Sequence, residues 1–121
     1  MSGTTDGLGR FGEAFAARWL RRRGFRILAR NWRCRQGELD LVARRGRTLV
    51  FVEVKTRRFT GLWSPELAVD HRKIERLRRA AERYLAAQRW RGWCRVRFDV
   101  VAVSVGRGTA VTEVRHYPDA F

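Results

Sequence analysis

Apolar residues recur at Leu8, Phe11, Phe15, Trp19 and Leu20, at spacings of three and four that place them on one face of a helix. Arg21, Arg22 and Arg23 then make a basic last turn, and Gly24 follows as a stop signal. The pattern predicts a first helix from about Asp6 to Arg23. Residues 1–7 are small and polar and are expected to fray. Phe25, Ile27 and Ala29 alternate with arginines, as in a half-buried strand. Glu38 to Val42 is a second strand, and Leu49 to Thr56, rich in β-branched residues, a third. The short turn at Gly46 predicts that these two form an antiparallel hairpin. Residues 57–65 read as a loop, with Ser64 and Pro65 opening a short helix. Asp70 caps a longer helix with Ile74, Leu77, Ala81, Tyr84, Leu85 and Gln88 on one face, ended by Gly92. Val96 to Val105 is a fourth strand. Gly106 and Gly108 turn it into a fifth, Ala110 to His116, closed by Pro118. The order α-β-β-β-α-β with an added β predicts an α/β fold, a mixed central sheet flanked by helices. No repeat or linker divides residues 1–121, so one domain is expected.

Composition narrows the function. The 121 residues are 45% hydrophobic and 12% aromatic, which excludes a disordered tail. Lys and Arg number 27 against 12 acidic residues, a formal net charge of +15. Such a charge points to an anionic partner, nucleic acid first and an anionic membrane surface second. No apolar run approaches the ~20 residues of a membrane span, and residues 1–20 lack the apolar core of a signal peptide. A cytoplasmic protein with no membrane partner is expected. Two cysteines, Cys34 and Cys94, are too few for a disulfide framework or a thiolate zinc site. With only His71 and His116 as imidazoles, any metal must be held mainly by carboxylates, which suits Mg²⁺ or Mn²⁺.

The third strand carries the chemistry. Alternation puts Leu49, Phe51, Glu53 and Lys55 on one face and Val50, Val52 and Val54 on the other. The valine face reads as core; the other begins apolar and ends with a carboxylate beside an ammonium. Glu38 and Asp40 share a face of the preceding strand, and the hairpin brings Asp40 opposite the Glu53 region. Two close carboxylates repel unless a proton or cation lies between them, and a divalent metal is the natural solution. Only Lys55 and Lys73 among the 27 cationic residues are lysines. A compact, tunable ammonium beside the carboxylates contrasts with the bulky, permanently charged guanidinium used elsewhere. The same residues also fit a simple ion pair on a sheet surface.

Asp40, then Glu53-Val54-Lys55 on the next strand, preceded by a helix bearing Glu13, resembles the catalytic core of the PD-(D/E)xK nuclease superfamily. The segments GRFGEAFAARWL, ILARNWRCRQGELDLVARRG, LVFVEVKTR, AVDHRKIERL and RFDVVAV resemble in order the YraN / UPF0102 family, related to archaeal Holliday-junction resolvases. Leu39 stands where the superfamily places a proline before the aspartate. The resemblance implies a restriction-endonuclease-like αβββαβ core and Mg²⁺- or Mn²⁺-dependent phosphodiester hydrolysis. Asp40, Glu53 and the backbone carbonyl of Val54 would be the metal ligands. Lys55 would orient or activate water and stabilise charge on the phosphate, and Glu13 would complete the site or support a second metal. Glu38, two residues before Asp40, ranks below these because it can lie too far out along the strand. Resolvases of this fold are dimers, so the resemblance also raises a homodimer.

Around this site, Arg72, Lys73, Arg76, Arg79 and Arg83 lie off the apolar stripe of the second long helix. They read as a phosphate-tracking surface, with Lys73 closest to the scissile phosphate; a solvated helix face is the simpler reading. Arg57 and Arg58 open a loop with Phe59 and Trp63, suited to stacking on unpaired bases or to packing on the sheet. Asp99 is expected to pair with a neighbouring arginine, and His71 to lie on the surface at a helix start. The expected function is an endonuclease-like enzyme on branched or structured DNA, DNA being preferred over RNA. Two other readings stand beside it: a non-catalytic nucleic-acid-binding module on the same fold, and a basic scaffold within a larger complex.

Overall fold

A computed structural model of the protein describes residues 3–58, 70–88 and 95–121, with side chains from Gly7 onward. In chain order the elements are α1 (Gly3–Arg22), β1 (Arg26–Cys34), β2 (Gly37–Arg45), β3 (Thr48–Arg58), α2 (His71–Ala87), β4 (Arg95–Val105) and β5 (Val111–Tyr117). The strands form one sheet in the order β1-β2-β3-β4-β5. The β3–β4 pair is parallel, from Thr48↔Arg95 to Arg58↔Val105, and the other pairs are antiparallel. This is the mixed α/β fold expected from the sequence, with a restriction-endonuclease-like core.

Helix α1 begins at Gly3, earlier than its apolar stripe indicates. It stops as expected: Gly24 has φ +89°, its N–H donates to the Arg21 carbonyl at 3.1 Å, and the Phe25 N–H donates to Leu20 at 3.1 Å. That pairing is a Schellman cap, and the apolar contact it favours is present, since Leu20 and Phe25 belong to one buried cluster. Strand β1 runs on past Ala29 to Cys34. Its alternation slips: Ile27 and Ala29 face inward, then Trp32 and Cys34, with Asn31 between them at φ +50°. The Asp70 side chain caps α2 by accepting from the Lys73 N–H at 2.9 Å. Gln88 is the exposed C-cap of that helix, not part of its apolar face, which buries Leu77, Ala80, Ala81 and Tyr84. The expected short helix at Ser64 and Pro65, the aromatics Phe59 and Trp63, Gly92 and Cys94 lie outside the described residues.

Each face of the sheet carries one helix. Val50, Val52 and Val54 pack with Val101, Val103 and Val105 against Ala16, Ala17 and Leu20 of α1. Leu49 and Phe51 pack with Leu77, Ala80, Ala81 and Tyr84 of α2. The valine face is core, as alternation required, but the opposite face is core too until it reaches Glu53. Gly12 sets how close α1 comes: a Cβ there would overlap the Thr56 hydroxyl on β3. Among the described residues, no helix is long and apolar enough to cross a membrane.

Candidate active site

The site forms where the β2–β3 ladder stops. Paired residues run from Arg45↔Thr48 to Leu41↔Val52 and no further. At Asp40 the alternation of β2 breaks, because Leu39 packs with the α2 cluster while Leu41 packs with the α1 cluster. The Val54 N–H, which a continuing ladder would satisfy by backbone, donates instead to Asp40 Oδ2 at 2.9 Å. The expected proximity of Asp40 to Glu53 is therefore met by a side chain substituting for a strand carbonyl. One carboxylate oxygen of Asp40 is fixed in this way, and the group as a whole lines the cleft.

Glu53 is almost fully buried, and its carboxyl and that of Asp40 are hydrogen-bonded to each other. Two ammonium groups reach the same oxygen of Glu53: Lys55 Nζ at 3.3 Å from Oε2, and Lys73 Nζ in direct ion-pair contact. The charges explain the titration. Burial, together with the adjoining Glu53 carboxyl, pushes Asp40 up to about 9, against the Val54 N–H. Burial also disfavours ionised Glu53, but Asp40 and the two lysines outweigh it and hold its carboxyl below the ordinary range. At neutral pH the Asp40–Glu53 pair thus carries one proton. Burial and the neighbouring Lys73 lower Lys55, whereas Glu53 overrides burial at Lys73 and raises it.

Across the cleft stand Glu13 of α1 and Glu38 of β2. Among the described residues, Glu13, Glu38 and Asp40 each present an oxygen within 4.8 Å of the others. Glu38 is thus not too far out along its strand, because the break at Asp40 folds it back into the cleft; Arg33 holds it at 2.8 Å. Burial raises Glu13, against a hydrogen bond with the Asn31 side chain and reinforced by the charge of Glu38. Asn31 is the site residue that periodicity missed. Its signal was its type, since asparagine tolerates left-handed backbone better than other side chains and can bond from it.

The cleft has a volume of about 580 Å³, and Gln36, Lys73 and Arg76 line it beside the acids. The set fits a divalent cation: its donors are three carboxylate oxygens from two elements, α1 and β2, converging within a few ångströms. The candidate cationic surface divides. Arg76 lines the cleft, Arg79 and Arg83 line an adjoining groove that shares Gln36, and Arg72 is exposed at the start of α2 beside exposed His71. Arg58 does not line the cleft. Its guanidinium donates to the carbonyls of Gly106 (2.7 Å) and Gly108 (2.9 Å) and clamps the β4–β5 turn. Arg57 donates to the Thr56 carbonyl at 3.3 Å. Asp99 pairs with Arg97 as expected, and His116 joins them at 2.7 Å; none of the three lines the cleft.

Fold and cleft together define a class: a restriction-endonuclease-like α/β domain with an acid- and lysine-lined cleft at a broken strand pair. The chain belongs to the uncharacterised protein family UPF0102, whose model matches residues 12–103. It is 50% identical over 114 residues to a UPF0102 protein of Rhodococcus jostii, covering 94% of this chain and 95% of that one. A Nocardia farcinica relative is 52% identical over 106 residues, 88% of this chain and 83% of its own. One from Acidothermus cellulolyticus is 52% identical over 115 residues, 85% and 87% respectively.

Proposed function

We propose that the protein is a metal-dependent phosphodiesterase of the PD-(D/E)xK type, cutting branched or otherwise structured DNA endonucleolytically in the cytoplasm. The observation that carries this reading is the Asp40–Glu53 carboxyl pair set beside Lys55 and Lys73, within a cleft whose walls add Glu13 and Glu38. A surface built only to bind phosphate gains nothing from four carboxyl groups turned toward it.

Asp40, Glu38 and Glu13 are the residues to hold Mg²⁺ or Mn²⁺, with Glu53 and the Val54 carbonyl completing the shell. When bound, the cation would supply Lewis-acid charge to a phosphate oxygen and favour ionisation of water. The remaining work falls to the chain itself. Lys55 is buried on β3, so its ammonium is fixed in place to orient the attacking water and to offset the charge growing on the phosphate. Hydrolysis adds water across one P–O bond, with the attacking oxygen losing a proton and the departing oxygen gaining one. Arg76, Arg79 and Arg83 lie along one side of α2, so the strand is tracked away from the cut by cations on a rigid element. Over the seven residues from Arg76 to Arg83 a helix rises about 10 Å, roughly the axial rise of three successive nucleotides at about 3.4 Å each.

The test is cleavage of duplex, single-stranded, flap and four-way-junction DNA with Mg²⁺, Mn²⁺ or EDTA. Wild type is expected to cut in a metal-dependent way, and Lys55→Ala and Glu53→Gln to lose cutting while retaining binding. Absence of cutting on every substrate, with salt-sensitive binding that Lys55→Ala leaves unchanged, would establish a binding module instead.

A further inference from the structure

Two ammonium groups share one carboxylate oxygen, and they are not equivalent. Lys55 projects from the middle of the sheet and its side chain is 10% exposed. Lys73 stands on the first turn of α2, at the rim of the cleft, and its side chain is 33% exposed. The first is held by packing; the second sits on a long stem with water on one side and room to turn. Both face Glu53, whose other neighbour is Asp40, one of the three acids that converge within 4.8 Å.

A divalent cation entering this cleft meets charge already in place. It is attracted by Glu13 and Glu38, and by the Asp40–Glu53 pair once that pair gives up its shared proton, and it is repelled by whichever ammonium groups stay beside Glu53. At a separation of a few ångströms in a half-buried site, two positive centres repel strongly enough to displace the more mobile one. The buried Lys55 has nowhere to go. Lys73 needs only a change of rotamer to leave Glu53 and point across the cleft mouth, where Arg76 already stands one turn further along the helix.

We propose that Lys73 is an exchangeable counter-ion: it neutralises Glu53 while the cleft lacks a divalent cation, and cation binding releases it to pair with a substrate phosphate. This rests on the reading of the cleft as a metal site. It makes Lys73 a positioning residue that couples metal occupancy to nucleic-acid binding. The empty protein keeps its buried carboxylate paired, and the phosphate contact becomes available only once the cleft is charged.

The experiment joins two readouts that do not depend on cutting. Mn²⁺ titrations by calorimetry compare wild type, Lys73→Gln and Lys73→Arg, with thermal melts confirming that each is folded. Removing the competing charge should tighten Mn²⁺ on the order of tenfold, the effect one adjacent unit charge has on a neighbouring ionising group; Lys73→Arg, which keeps the charge, should resemble wild type. Anisotropy of a short fluorescent duplex is then followed against salt with Mn²⁺ or with EDTA, the strands checked intact on a gel. With Mn²⁺, the log–log salt slope of Lys73→Gln should be smaller than that of wild type by about one unit, the mark of one lost phosphate contact. With EDTA the two slopes should coincide. Unchanged Mn²⁺ affinity in Lys73→Gln, or the same slope difference with and without metal, overturns the exchange while leaving the metal site standing. No Mn²⁺ binding by wild type overturns both.

Discussion

Asp99 has no exposed surface, yet its carboxylate is charged and fully engaged. It accepts from Arg97 Nε (2.8 Å) and Nη2 (2.9 Å), and from the Asp119 backbone N–H at 2.9 Å, while His116 Nε2 lies 2.7 Å away. Trp19 and Phe25 of the α1 side stand edge-on to the His116 ring. One carboxylate thereby joins β4, β5, the C-terminal tail and the α1 face. Neutralising it leaves the part-buried Arg97 guanidinium without its charged partner. Asp99→Asn should cost about 1–3 kcal/mol in urea unfolding at neutral pH. The pH dependence has a definite sign. Burial opposes ionisation, but His116, Arg97 and the Asp119 N–H together hold the folded pKa below the ordinary value. The stabilisation is complete above the unfolded pKa of about 3.9 and is lost as pH falls from there through the lower folded pKa. Wild type should weaken progressively below about pH 4, and Asp99→Asn should show a shallower acid limb. The arginine partner was legible in the sequence, two positions away on the same strand. The histidine was not, because β5 is antiparallel to β4 and only that register brings His116 opposite Val101, two residues from Asp99.

At the scale of elements, α1 is placed by what it lacks. Glycine inside a helix ordinarily costs about 1 kcal/mol relative to alanine. Gly12 and Gly9 share one helix but have opposite surroundings: a Cβ on Gly12 would overlap Thr56, whereas a Cβ on Gly9 meets nothing within 4 Å. Gly9→Ala should therefore raise stability by about 0.5–1 kcal/mol, and Gly12→Ala should lower it by about 1–3 kcal/mol, both read from thermal melts. The opposite signs would show that α1 lies against β3 at this depth. Glu13 is next to Gly12, so the same close approach delivers the acid to the cleft, and Gly12→Ala should weaken Mn²⁺ binding as well. Helix α2 is placed by a different device. Asp70→Ala removes the bond to the Lys73 N–H and should cost about 1 kcal/mol. Its effect should also reach the cleft, since Lys73 stands on the turn that Asp70 caps.

At the scale of the molecule, a net charge of +15 on 121 residues makes the folded state repel itself. Monovalent salt should therefore raise the melting temperature by screening. Divalent cations should raise it further at matched ionic strength, by about 2.7 kcal/mol of stability at a hundredfold excess over the dissociation constant. That increment should vanish in a Glu13→Gln, Glu38→Gln double variant while the monovalent effect persists. Scanning fluorimetry in matched KCl and MgCl₂ separates the two. The same charge governs substrate binding, so affinity for DNA should fall steeply with salt whatever the fate of the cleft.

The sequence by itself determined the elements and their faces. The apolar stripes of α1 and α2, the valine face of β3, the Gly24 stop and the Asp70 cap are local consequences of side-chain period and backbone preference. It also determined that Asp40, Glu53 and Lys55 would lie close, because a hairpin with a short turn has little freedom of register. Tertiary structure alone decided the rest. Periodicity describes a ladder that continues, and this site exists because the ladder stops, with Asp40 taking the Val54 N–H in place of a backbone carbonyl. That break returns Glu38 to the cleft, while Asn31 bonds Glu13 from its own left-handed position in β1 and Lys73 reaches Glu53 from a helix twenty residues away in sequence. Such contacts depend on where two helices settle on opposite faces of a sheet, and no pattern along one strand contains that distance.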